Sequence, residues 1–196
     1  MRRVCPATAP VILAVLVLTG CTEPRSAPSV RPSGATTAGS TTPARPTTTS
    51  TPAPGQRVTV THVSDGDTFN ATRADGVRLR VRLLGIDAPE VGDDDTQPQC
   101  GAAQATKALS GLVAGRRVHL VGDPRADKVD RFGRYLSYVE VDGTDVAFAL
   151  VTAGMAAAWY PRGEPMPQRF PAYQDAEDAA RAARTGLWRT CPTIGR

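Results

Sequence analysis

Val77-Arg78-Leu79-Arg80-Val81-Arg82-Leu83 alternates apolar and arginine side chains, and Leu84-Gly85-Ile86-Asp87-Ala88-Pro89-Glu90 follows without a break. A period of two marks a half-buried strand. One face enters a core and the other presents guanidiniums. Such a row is ordinarily a solvated sheet face. Arg82 is the exception, because it leads straight into a turn rich in carboxylates. Outward from this stretch, Arg57 to Val63 alternates as well and predicts a first strand. Asp65-Gly66 turns the chain, Thr68 to Thr72 is a second strand, and Asp75-Gly76 is a hairpin signal.

On the C-terminal side, Val91 to Gln99 is a polar loop containing Asp93-Asp94-Asp95. Gly101 to Val113 predicts a helix, because Ala102, Ala105, Leu109, Leu112 and Val113 recur at helical spacing. Arg117 to Val121 is a fourth strand, Gly122 to Gly133 a charged loop, and Arg134 to Val141 a fifth strand. Asp142-Gly143 turns into a helix from about Val146 to Thr152, ended by Gly154. Tyr160 to Phe170 is proline-rich and irregular, and Pro171 to Thr185 is a last helix closed by Gly186. The expected class is α+β: a small five-stranded Greek-key β-barrel with three packed helices.

The chain has 196 residues, but the N-terminal part cannot build a core. Met1 to Gly20 reads as a secretion signal, with Arg2 and Arg3 ahead of the apolar run Val11 to Leu18. Leu18-Thr19-Gly20-Cys21 resembles a bacterial lipobox, which makes Cys21 the expected lipidation site and new first residue. Residues from Cys21 to Gly55 are dominated by Thr, Pro, Ser, Ala and Gly, the composition of a disordered linker. The expected chain is therefore exported and held on the outer face of the cell membrane by its lipid, or released. Gln56 to Arg196 is left as one folded domain.

Charge requires the same division. Of 23 basic and 19 acidic residues, five basic ones (Arg2, Arg3, Arg25, Arg31, Arg45) and Glu23 precede Gln56, which leaves 18 of each sign in the folded part. The sequence pI of about 9.1 is therefore no evidence for a polyanion partner. Attraction for one must come from local clustering or from a bound cation. Cys5 leaves with the signal and Cys21 is the lipid site, so Cys100 and Cys191 remain. In an oxidising compartment such a pair is most simply a disulfide, and closing so long a loop stabilises by about 3–5 kcal/mol in the chain-entropy model. A metal or catalytic thiol pair is the weaker alternative, because His62 and His119 lie in strand-like stretches away from both cysteines.

Three separated carboxylates (Asp67, Asp87 and Glu90) and two arginines (Arg82 and Arg134) make a chemical set. Carboxylates and backbone carbonyls suit a hard cation such as calcium. Guanidiniums stay charged and can bind two phosphate oxygens at once. Taken singly, Asp-Gly is a turn, Asp-Ala-Pro a loop start, and an arginine at a strand end is solvated. Gly133, just before Arg134, is read as a close approach of the backbone to something.

Val63 to Phe69, Val81 to Glu90 and Asp130 to Leu136 resemble, in order and spacing, the three signature blocks of the thermonuclease (staphylococcal-nuclease-like) family. The similarity runs from about Val58 to Trp188. It implies an OB-fold-like barrel and calcium-dependent hydrolysis of DNA and RNA to 3′-phosphate ends. The chain is expected to act as a monomer with no obligate protein partner. The resemblance implies Asp67, Asp87 and the backbone carbonyl of Ala88 as calcium ligands. It implies Glu90 as general base, and Arg82 and Arg134 as the clamp on the reacting phosphate. Arg131, Phe132 and Tyr160 match substrate-contacting positions, and Asp65 and Thr68 would support the metal ligands from behind. Ala88 and Phe132 depart from the common threonine and tyrosine, and Tyr160 to Phe170 departs from the usual loop. Trp159 and Trp188 are read as core. Asp93-Asp94-Asp95 is read as a solvated acidic loop. Arg82→Ala and Glu90→Ala are expected to depress turnover far more than stability. Two other readings stand: a catalytically silent domain of the same fold that binds nucleic acid or protein, and a calcium-stabilised surface module.

Overall fold

The structure, a computed structural model, describes residues 55–195. The signal, Cys21 and the linker up to residue 54 lie outside the described residues. In chain order the elements are β1 (Gln56–Val63), β2 (Thr68–Arg73), β3 (Arg78–Leu83), β4 (Ile86–Asp87), α1 (Ala102–Val113), β5 (Arg117–Val121), β6 (Tyr135–Val141), β7 (Thr144–Asp145), α2 (Val146–Thr152), β8 (Ala157–Ala158) and α3 (Phe170–Ala182), with a 3₁₀ turn at Gly186–Arg189.

Alternation drives the barrel. In β1, Val58 and Val60 are buried while Arg57, Thr59 and Thr61 face out. Strands pair antiparallel in the order β3-β2-β1-β5-β6-β7, and β3 then pairs with β6 in parallel, closing a five-stranded barrel. Closure removes the exposed edges that an open sheet would leave. Phe69, Val81, Leu83 and Val139 fill the interior. Ala105, Leu109 and Val113 of α1 pack into the same core cluster, and Ala102 on the same stripe is buried. The chain is an α+β protein with an OB-fold-like barrel and three helices, as expected.

Boundaries differ at informative places. Val77 lies outside β3, because it occupies the hairpin turn in which Arg73 N–H donates to its carbonyl at 2.9 Å. Arg134 precedes β6, so it belongs to a loop and not to a ladder. Three two-residue strands, β4, β7 and β8, were too short to show a period. Two of them matter to the site: β4 pairs with β8 through Ile86↔Ala158 and Asp87↔Ala157, which pins the Asp87 turn to the chain leading into Trp159. Among the described residues no helix is long and apolar enough to cross a membrane.

Candidate active site

Two turns bring the acidic residues together. In the first, Ser64 N–H donates to the Thr68 carbonyl at 2.9 Å, and Asp67 N–H donates to Oδ1 of Asp65 at 2.9 Å. Gly66 sits at the apex. A Cβ there would meet Cβ of Ala88 at 2.6 Å and Cβ of Ala105 at 2.7 Å, so only glycine lets this turn press onto the second one. Across the contact, Ala88 N–H donates to Oδ2 of Asp67 at 2.9 Å. Asp65, Asp67 and Asp87 are all buried. Burial, then the charge of Asp67 and that of Glu90, push the Asp65 carboxyl up to about 6. Carboxylates crowded to that degree form a site short of positive charge.

Arg82 supplies part of it. Its Nε lies 3.1 Å from Oδ1 of Asp67 and its Nη2 2.7 Å from Oδ1 of Asp87. Nη1 donates to the carbonyls of Leu83 and Ile86, at 2.8 and 2.7 Å. Three of the five guanidinium N–H groups are hydrogen-bonded, and Nε faces Asp67 as an ion pair. The residue is buried yet also lines a cavity of about 620 Å³ on the barrel wall, so the remaining Nη2 donor is the one available to a ligand.

Arg134 reaches the same cavity from the loop before β6. Asp130 organises that loop: its Oδ1 accepts from the N–H groups of Phe132 and Arg134, each at 2.9 Å, and its Oδ2 accepts from Nε of Arg134 at 2.8 Å. Burial opposes ionisation of Asp130, but the backbone and side-chain bonds from Arg134 and the Phe132 N–H outweigh it and hold the carboxyl below its usual range. With Nε taken, both Nη groups of Arg134 are left for an anion. Phe132, 62% exposed, has the guanidiniums of Arg131 and Arg134 over its ring, at 4.7 and 5.3 Å from the ring centre. Gly133 has φ of 73°, and a Cβ there would meet nothing within 4 Å. Its role is the left-handed backbone of the turn, not the close approach expected from sequence.

The cavity is completed by Tyr160, Trp159, Arg162 and Asp127. Tyr160 is steadied edge-on by Phe170 at 4.7 Å between ring centres. Trp159, expected in the core, is only partly buried and lines the cavity; its backbone N–H donates to the Gly85 carbonyl at the mouth of the β4 turn. Trp188 packs against the core, with Arg181 stacked 4.3 Å over its ring. Beneath the cavity, Asp123 accepts from the Tyr138 hydroxyl and the N–H groups of Gln168 and Arg125, tying two long loops together. Asp123 and Asp130 are the residues that sequence reasoning missed. Asp130 was visible only as an Asp two and four residues ahead of its partners, a local signal of a side chain bonding its own loop.

Of the expected residues, Arg82, Arg131, Phe132, Arg134 and Tyr160 line the cavity, and Asp65, Asp67, Thr68, Asp87 and Ala88 stand behind Arg82. Glu90 is exposed, and its backbone is clamped to Gln99 by two bonds of 2.9 and 3.1 Å. Among the described residues no group of three or more His, Cys, Asp or Glu is placed to chelate a metal by itself. The donor chemistry nonetheless fits a hard cation. It offers two carboxylates and a carbonyl with no competing thiol or imidazole, in a pocket with excess negative charge. Sγ of Cys100 and Sγ of Cys191 lie 2.07 Å apart, at bonding distance.

A barrel carrying two anchored guanidiniums in one groove, beside a nest of carboxylates, is an anion-binding arrangement built for more than one charge. The chain belongs to the staphylococcal nuclease family: the family described as Staphylococcal nuclease homologue matches residues 80–190. Micrococcal nuclease of Shigella flexneri is 31% identical over 138 residues, covering 66% of this chain and 71% of that protein. SPbeta prophage-derived endonuclease YokF of Bacillus subtilis (strain 168) is 32% identical over 131 residues, 67% of this chain and 43% of its own length. Thermonuclease of Staphylococcus intermedius is 33% identical over 108 residues, 55% of this chain and 62% of its own. The chain spans about half the length of several curated relatives that it matches, from 43% to 61%.

Proposed function

We propose that this domain is a calcium-dependent endonuclease that hydrolyses phosphodiester bonds in DNA and RNA. The observation that carries the reading is the pair Arg82 and Arg134, each anchored by a carboxylate and each with donors left facing one cavity. Asp67, Asp87 and the Ala88 carbonyl would hold the calcium ion. The ion would supply Lewis-acid polarisation of the phosphoryl group.

The chain's own residues do the rest. Arg134 grips a nonbridging phosphate oxygen with its two Nη groups, and Arg82 adds its last Nη2 donor. Both are fixed before substrate arrives, so they favour the extra charge of the transition state without reorganising. Glu90 accepts a proton from the attacking water. Water adds to phosphorus in line, the bond from phosphorus to the 5′-oxygen breaks, that oxygen leaves as a hydroxyl after taking a proton from solvent, and the phosphate stays on the 3′-oxygen. Arg131, Phe132 and Tyr160 position the flanking nucleotide. Asp65 and Thr68 stiffen the Asp67 turn; Thr68 Oγ1 donates to Asp67 at 2.9 Å. The domain acts as a monomer. Digestion of plasmid DNA with calcium, and its arrest by EGTA, tests the reading. Calcium-independent binding without cleavage would favour the silent-domain alternative.

The export reading is proposed on sequence alone. Cys21 is lipidated and the linker carries the domain away from the membrane. Mass spectrometry of the mature N-terminus tests it: a lipid-modified Cys21 is expected, and an unmodified Cys21 or another start rejects it.

A further inference from the structure

Strands β1, β2, β3 and β5 hold six arginines and no Asp or Glu. Arg73 is paired with Asp75 at 2.8 Å, and Arg82 is buried in the site already described. Arg57, Arg78, Arg80 and Arg117 are exposed and form no ion pair among the described residues. Four uncompensated guanidiniums on one part of a domain with a balanced charge are a segregated patch, not an average surface.

The register shows how they are arranged. Arg117 pairs with Thr59, Thr59 with Thr72, and Thr72 with Arg78. Directly paired residues point to the same side of a sheet, so these form one row across four strands. Asn70 pairs with His62 on one side and Arg80 on the other, forming a second row. The third row begins with Thr68 opposite Arg82. Arg78, Arg80 and Arg82 thus share one side of β3, about 6.8 Å apart at each step. That repeat is of the order of one nucleotide in an extended strand. At the seam, Val81 pairs with Tyr135 in parallel, and Arg82, the next residue after Arg80 on this side of β3, lines the cavity together with Arg134. The basic row therefore runs directly into the cavity.

Its chemistry selects the occupant. Between the arginines lie Thr59, Thr72, Asn70 and His62, all able to bond phosphate oxygens. Arginine, threonine and asparagine are the side chains that contact nucleic-acid backbones. A lipid surface would ask for apolar side chains among the basic ones, and these rows have none. We infer that the nucleic-acid strand leaving the cavity continues across the outer face of β3, β2, β1 and β5, with Arg80, Arg78 and Arg117 contacting backbone phosphates beyond the reacting one. This rests on the nucleic-acid substrate proposed above. It adds a sequence-independent track that lengthens the binding site and favours long strands over short ones.

The test compares the full chain with its R78A/R80A/R117A variant. Binding of a labelled 30-nucleotide DNA strand is measured in EGTA across salt concentrations, so that hydrolysis plays no part. The triple variant is expected to bind at least tenfold more weakly at low salt. Its plot of log affinity against log salt should be shallower by about 2, three phosphates at about 0.7 each for a single strand. Calcium-dependent cleavage of a dinucleotide should be unchanged, and R78K/R80K/R117K should restore the slope. Equal affinity and slope in wild type and triple variant would overturn the inference. So would a wild-type chain that does not bind the strand, or a loss confined to phosphatidylglycerol vesicles. A wild-type chain that binds with the steep slope but cuts nothing leaves this track standing and removes only the catalytic reading.

Discussion

Nη2 of Arg82 lies 2.7 Å from Oδ1 of Asp87, with both side chains buried. Arg82 is therefore a structural ion partner as well as the proposed phosphate ligand. This revises the expectation that Arg82→Ala would spare stability. Removing the guanidinium strands two buried carboxylates, and breaking such a pair costs about 3–5 kcal/mol. Arg82→Ala should lower the urea midpoint markedly and abolish cleavage. Arg82→Lys should recover part of the midpoint but little activity, because an ammonium cannot reach Asp67, Asp87 and two carbonyls together. Urea melts and initial rates on one DNA substrate check both halves.

Glu90 is the contrasting case. Its side chain is exposed, and its backbone is clamped to Gln99. Glu90→Gln should keep the fold and the urea midpoint while kcat falls by about 10²- to 10⁴-fold, the range for a lost general base. An unchanged kcat would remove Glu90 from the reaction.

Asp130 shapes the loop that delivers Arg134 and holds its Nε at 2.8 Å. Asp130→Asn keeps the volume but loses the charge, so Arg134 should wander. We expect kcat to fall by about tenfold or more, with far less change in stability than in Arg82→Ala.

Acid should weaken the fold through the same loops. Asp123 is pushed up by burial but drawn below its usual range by Tyr138, Gln168 and Arg125, and Asp130 is likewise lowered. A carboxyl whose folded pKa is lowered stabilises above its unfolded value of about 3.9. That contribution is lost as pH falls through the folded value. Thermal stability should therefore hold near neutrality and fall below about pH 4, and Asp123→Asn should flatten that acid limb.

Cys100 and Cys191 are 91 residues apart in sequence and join the start of α1 to the chain beyond the 3₁₀ turn. In the chain-entropy model, a link over that separation stabilises by about 4–5 kcal/mol. Cys100→Ser/Cys191→Ser, or reduction of the parent, should shift the urea midpoint down accordingly, with activity at low denaturant preserved. An unmoved midpoint would mean that the pair does not form in solution.

The barrel was legible wherever a strand was long enough to repeat. β1, β3 and the stripe of α1 declared their inward faces by spacing alone. β4 and β8 did not, since two residues carry no period, and so the placement of Trp159 at the cavity was missed. Of the site, Asp67, Arg82, Asp87, Glu90 and Arg134 could be named because they sit in short motifs. What those motifs did not reveal was burial. The carboxylate-rich turn after Arg82 set it apart from the solvated row, but not that its guanidinium would be buried between Asp67, Asp87 and two carbonyls. Asp123 was hidden for another reason: its partners, Tyr138 and Gln168, come from distant parts of the chain.

The central claim is hydrolysis of a nucleic-acid linkage at the groove shared by Arg82 and Arg134, with calcium present. Digestion of defined DNA and RNA oligonucleotides with calcium and with EGTA, followed by analysis of the product ends, tests it most directly. The account predicts fragments ending in 3′-phosphate with calcium and intact strands with EGTA. Intact strands under both conditions, or fragments ending in 3′-hydroxyl, would contradict it.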